Sequence, residues 1–95
     1  KINKMSLETI SEEVVELKEQ VAKDHILVLF DDNVNTFDHV IDLLVKVCNH
    51  EELQAEQCAT LVHYKGKCAV KTGELKELTI MGEILADNGL TVEVN

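Results

Sequence analysis

The sequence predicts a small α+β domain: a three-stranded antiparallel sheet packed against three helices, in the order strand, helix, helix, strand, helix, strand. Three observations carry that expectation. An unbroken apolar run of strand length, ending at Phe30, stands before two consecutive stretches whose apolar residues recur at helical spacing. A short strand-like segment and a third helical stretch follow them. The chain then closes on the β-branched segment Thr91–Val94. At 95 residues there is room for one modest core, because a chain this short buries only about two-thirds of its unfolded surface.

Taken in order, the first segment is a leader. Leu7, Ile10, Val14, Leu17 and Val21 are spaced three, four, three, four, which makes a short heptad stripe on an acidic helix. Two heptads do not hold an isolated helix, so residues 1–24 are expected to be helical or mobile until something covers the stripe. Residues 25–95 form the expected core. His25–Phe30 reads as the first strand and Asp31–Asn35 as a polar loop after it. Asn35 is expected to cap the first core helix with Asp38 three residues on, followed by Phe37, Val40, Ile41, Leu44, Val47 and Cys48 at helical spacing. Asn49 or His50 is expected to cap the second, whose stripe Ala55, Cys58, Ala59 and Val62 runs until Tyr64-Lys65-Gly66 stops it. Lys67–Thr72 is the second strand. Glu74–Asp87 is the third helix, with Leu75, Leu78, Met81 and Leu85 expected inward.

Composition narrows the function classes. Nine Lys and no Arg against eighteen Asp plus Glu give a formal charge of -9, which repels phosphate backbones, so no nucleic-acid partner is expected. No apolar run approaches the ~20 residues of a bilayer span, and Lys1-Ile2-Asn3-Lys4 leads into an acidic stretch rather than an apolar signal core. A cytoplasmic protein with no membrane partner is the expectation. Cys48, Cys58 and Cys68 lack the spacing of a zinc or redox site and read as small core residues; no metal or cofactor is expected.

The residues with chemistry are Asp31-Asp32-Asn33 and, some thirty positions later, Leu61-Val62-His63-Tyr64-Lys65-Gly66-Lys67. They supply acceptor groups with no obvious nucleophile. That suits capturing a cation better than breaking a bond.

Together with Val28-Leu29-Phe30 and Val40-Ile41-Asp42-Leu43-Leu44, these motifs resemble the ClpS family over about Ile26–Val94. That family comprises adaptors that deliver substrates bearing N-terminal degradation signals (N-degrons) to a Clp protease. The resemblance implies a non-enzymatic protein with a pocket for a free α-amino group and the first side chain of the substrate. It also implies a second face that docks on the N-terminal domain of an AAA+ unfoldase such as ClpA or ClpC. Carried over by position, Asp31, Asp32 and His63 would hold the amine, although the family usually reads Asn-Asp-Asp where this chain has Asp31-Asp32-Asn33. The change keeps an acceptor oxygen at Asp31, adds a negative charge and removes a donor. Asn35, Phe37, Val40, Ala59, Val62 and Leu90 would line the side-chain pocket, with Ala59 and Phe37 both standing where many relatives carry Met. Thr36 replaces a Pro common at the helix start, and Glu74 is the one match on the unfoldase face.

Two rival readings remain at this level. Asp31, Asp32 and His63 could serve a metal-dependent hydrolase. A thiol mechanism fares worse, because Cys58 and His63 are five residues apart on one helix, a rotation of roughly 140°. His25, His39 and His50 form no metal-binding pair and read as surface residues. A structural module like the C-terminal domain of the ribosomal stalk protein shares the order of elements, but it would not need the acidic loop and His63.

Overall fold

The computed structural model describes residues 24–95, so the expected leader stripe lies outside the described residues. The elements are β1 (Asp24–Phe30), α1 (Phe37–Cys48), α2 (Glu52–Lys65), β2 (Lys67–Glu74), α3 (Leu75–Asp87) and β3 (Thr91–Val94). The sheet order is β2-β1-β3 and both pairings are antiparallel. The predicted α+β architecture is the one observed.

β1 is central because it is the most apolar strand: Leu27 and Leu29 are almost completely buried against the helices. Leu44 of α1, Ala55 and Val62 of α2, and Leu78 and Leu85 of α3 close over them. Each such leucine contributes roughly 1.5–3 kcal/mol by leaving water, and the spacing of these side chains is what tips each segment into a helix.

The caps differ from expectation. Thr36, not Asn35, caps α1, its hydroxyl accepting from the His39 N–H at 3.1 Å. Asn49 ends α1 instead of starting α2, in a left-handed conformation (φ 59°) that Asn tolerates better than other non-glycine residues. α2 is capped at Glu51, whose N–H donates to the Gln54 side chain at 3.4 Å. In each case a neighbour of the expected cap takes the position because the flanking residue is held elsewhere. His50 is buried, its ring Nε2–H donating to the Val70 carbonyl at 2.6 Å, and so is not a surface residue.

β2 runs to Glu74, two residues beyond the expected end, and α3 begins after it. Leu75 is therefore 51% exposed instead of inward: the last paired rung is Asp24 with Glu74, and no strand lies beneath the residue that follows. Phe37, the first residue of α1, is 46% exposed at the opposite end of the sheet.

Candidate functional site

The site begins where β1 stops. The Asp31 N–H donates to the Gly66 carbonyl at 2.9 Å, which ties the end of β1 to the turn between α2 and β2. Asp32 then folds the loop around its own carboxylate: Oδ1 accepts from the Val34 N–H at 2.8 Å and the Asn35 N–H at 2.9 Å. Its Oδ2 accepts from the Asn35 side-chain amide at 2.8 Å. That amide also donates to the Gly89 carbonyl at 2.8 Å, bracing the loop against the turn between α3 and β3. Gly89 has φ +96°, and a Cβ added there would come 3.4 Å from Asn35 Oδ1, so a glycine suits both the turn and the brace.

These bonds set the electrostatics of the loop. The Asn35 backbone N–H above all, with the Val34 N–H and the Asn35 amide, holds the Asp32 carboxyl below the usual carboxylate range, against the opposing effect of burial. Asp32 is thus a fixed anion. Oδ1 has both lone pairs engaged within the loop, while Oδ2 keeps one for another donor.

The loop forms one rim of a cavity of about 380 Å³, within the range of small-ligand sites. Asp31, Asp32 and Asn35 come to it from the loop, Phe37 and Val40 from the first turn of α1, Ala59, Val62 and His63 from α2, and Leu90 from the turn into β3. Every residue that the sequence reading assigned to an amine or side-chain pocket faces this one space. Leu29, Phe30 and Asn33 line it too. A strand's last residues border whatever opens beside the following loop, and that position was the available signal for Leu29 and Phe30.

The cavity divides by chemistry. Ala59, Val62 and Leu90 are buried at 4–6% exposure and make an apolar floor, with Val40 half-buried beside them. The rim is polar: Asp31 and His63 are exposed, and the His63 ring meets Tyr64 edge to face at 5.0 Å between centroids. Among the described residues the lining contains no Ser, Thr, Cys or Lys, so it presents acceptors and no hydroxyl, thiol or amine nucleophile. Nor, among the described residues, do three or more His, Cys, Asp or Glu gather as a metal-holding group. Metal–oxygen bonds of roughly 2.0–2.6 Å demand a tighter set of ligands than the ~2.7–2.9 Å hydrogen bonds of an ammonium. The arrangement fits a positively charged hydrogen-bond donor attached to an apolar group. Glu74 is not part of it; it stands exposed at the far end of β2, before α3.

No helix among the described residues is long and apolar enough to cross a membrane. No curated protein matches the sequence at significance. A solved structure of ClpS2 from Agrobacterium tumefaciens, bound to L-phenylalaninamide, has the same fold with a TM-score of 0.68 at 16% sequence identity, over 77% of this chain and 95% of that one. The profile of the family described as ATP-dependent Clp protease adaptor protein ClpS matches residues 20–93. That span takes in every strand and helix described, save the last residue of β3, and the loop that rims the cavity, and on it the chain belongs to the ClpS family of Clp protease adaptors.

Proposed function

We propose that this chain is a non-enzymatic adaptor that binds the free α-amine and bulky apolar first residue of N-degron substrates and delivers them to an AAA+ Clp unfoldase. In this reading Asp31, Asp32 and His63 accept from the ammonium, and Val40, Ala59, Val62 and Leu90 take the first side chain. Asn35 braces the carboxylate and Phe37 forms the outer wall. The unfoldase is of the ClpA or ClpC kind, docked by its N-terminal domain on a face that includes Glu74, and the setting is the cytoplasm.

One observation carries the reading: fixed acceptors and an apolar floor share a single cavity. A peptide N-terminus is an ammonium one bond away from the carbon that bears the side chain, so a site for both must place charge and apolar surface side by side. The ligand of the Agrobacterium structure has that chemistry, a free amine beside a benzyl group. Asp31 brings a second carboxylate to the rim, which strengthens the attraction for a cation.

The test is a fluorescent peptide with a bulky apolar first residue, titrated with its N-terminus free and then acetylated. Acetylation removes the charge and leaves a carboxylate without its partner. Loss of a hydrogen bond to a charged group costs ~1.5–3 kcal/mol, so affinity should fall about ten- to a hundredfold. Equal affinity of the two peptides would overturn the proposal.

A further inference from the structure

The three cysteines are free thiols, and none lines the cavity. Cys48, the last residue of α1, is fully buried. The other two meet: Cys58 faces β2 from α2, and its Sγ lies 2.7 Å from the Sγ of Cys68. Both sulfurs also point at one acceptor, the Ala69 carbonyl, at 3.8 Å from Cys58 and 3.4 Å from Cys68. A covalent S–S bond of about 2.05 Å is a fraction of an ångström away from this arrangement. Cys68 is partly exposed, which gives a reagent in solution a way in, whereas Cys58 is 6% exposed.

Their place in the fold gives the pair its interest. Cys58 is next to Ala59 and within about one turn of Val62, on the helix that also carries His63. Cys68 stands opposite Leu29, at the end of β1 that leads into the acidic loop.

We propose that Cys58 and Cys68 form a reversible intramolecular disulfide that clasps the cavity-bearing helix α2 to the sheet. The oxidant is a small-molecule disulfide. The Cys68 thiolate attacks one of its sulfurs and expels the first thiol; Cys58, giving up its proton to solvent, attacks Cys68 Sγ and expels the second. Two protein thiols and one external disulfide become one protein disulfide and two external thiols, so atoms and electrons balance. Burial first, and then the hydrogen bond and charge of Cys68, push the Cys58 thiol up to about 12, which makes Cys68 the point of entry and the exchange faster as pH rises. Because the sulfurs already stand close, closing the bond leaves the cavity wall in place. Formation of the clasp is independent of the peptide-binding proposal, and only its effect on peptide affinity rests on that reading.

The full chain is equilibrated with glutathione disulfide, alkylated and mapped by mass spectrometry. The expected product has lost the mass of two hydrogen atoms, joins Cys58 to Cys68, and leaves Cys48 alkylatable once the chain is unfolded. Its melting midpoint rises by on the order of 10 °C, since a loop of this size restricts the unfolded chain, and excess dithiol reverses the rise. Free-amine peptide should bind the oxidised and reduced forms within about twofold. Cys68→Ala, at the more exposed position, should abolish both the bond and the redox-dependent shift even if Cys58→Ala fails to fold, while Cys48→Ala should preserve both. A Cys48–Cys58 link, a bond between two chains, or glutathione retained on Cys68 with no internal link would each overturn the proposal.

Discussion

The two ends of the sheet are made from the same three strands yet close in opposite ways. Where β1 begins, backbone meets backbone: Ile26 and Asn95 exchange both hydrogen bonds at 3.0 and 2.8 Å, and the ladder with β2 runs out to Asp24 and Glu74. Where β1 stops, side chains take over, with Asp32 and Asn35 holding the loop and the Asn35 amide reaching Gly89. A ladder consumes its polar groups and leaves no space between strands. Side-chain braces hold their elements apart, so a cavity opens between α1, α2 and the turn into β3, and an acceptor oxygen stays available at its rim. The end closed by side chains is the end that carries the cavity.

The sharpest way to break that contrast is Asp32→Ala, which removes the brace and the acceptor together. Peptide affinity should fall about ten- to a hundredfold, while loss of the loop's cap-like bonds costs ~0.5–2 kcal/mol of stability and leaves the fold. Fluorescence polarisation and denaturant titration read the two effects separately, and unchanged affinity would put the amine elsewhere.

Next in size is a paired glycine replacement. Gly89→Ala forces a side chain into the left-handed region and against Asn35, so a loss of ~1–2 kcal/mol and weaker peptide binding are expected. Gly73→Ala at the ladder end meets only side-chain atoms at 3.9 Å and should stabilise by ~0.4–1 kcal/mol without touching affinity. Matching outcomes at the two glycines would erase the distinction between the ends.

Ala59→Met probes the apolar floor. In a panel of peptides differing only at the first residue, the added bulk should penalise β-branched Ile and Val more than Leu by ~1 kcal/mol or more. Identical rankings in both proteins would assign selectivity to Phe37, the half-exposed ring on the opposite wall.

The smallest effect is in pH. The folded-state pKa of Asp32 is depressed, so its contribution is present above the ordinary carboxylate range and lost as pH falls through the lowered value. The stability gap between wild type and Asp32→Ala should therefore be widest near neutrality and close in acid, as denaturant midpoints at several pH values would show. A gap that widens in acid would mean that the loop bonds do not favour the anion.

Much of this was legible because it depends on residues close in sequence. The stripe of α2 is written in Ala55, Cys58, Ala59 and Val62, and strand β1 in one uninterrupted apolar run. The caps were harder. Whether Asn35 or Thr36 takes the cap depends on whether Asn35 is already bound to Gly89, 54 residues away. His50 looked like a surface histidine until β2 offered it the Val70 carbonyl. Cys58 and Cys68, ten residues apart, read as separate core residues because nothing in their spacing says that α2 and β2 fold back along one another. Spacing does not record what a distant strand brings alongside.

By itself, then, the sequence determined the order of the elements, the apolar face of each, and the presence of acceptor groups without a nucleophile. All of these follow from local periodicity and side-chain chemistry. Only the tertiary structure decided that Asp31, Asp32 and His63 share a cavity with Val40, Ala59, Val62 and Leu90. The residues come from a loop, two helices and a turn, and they meet because burial of the same few leucines forces those segments onto one sheet. The free lone pair of Asp32 and the close approach of the two sulfurs are set in the same way, by which groups the packed chain leaves unsatisfied and which it presses together.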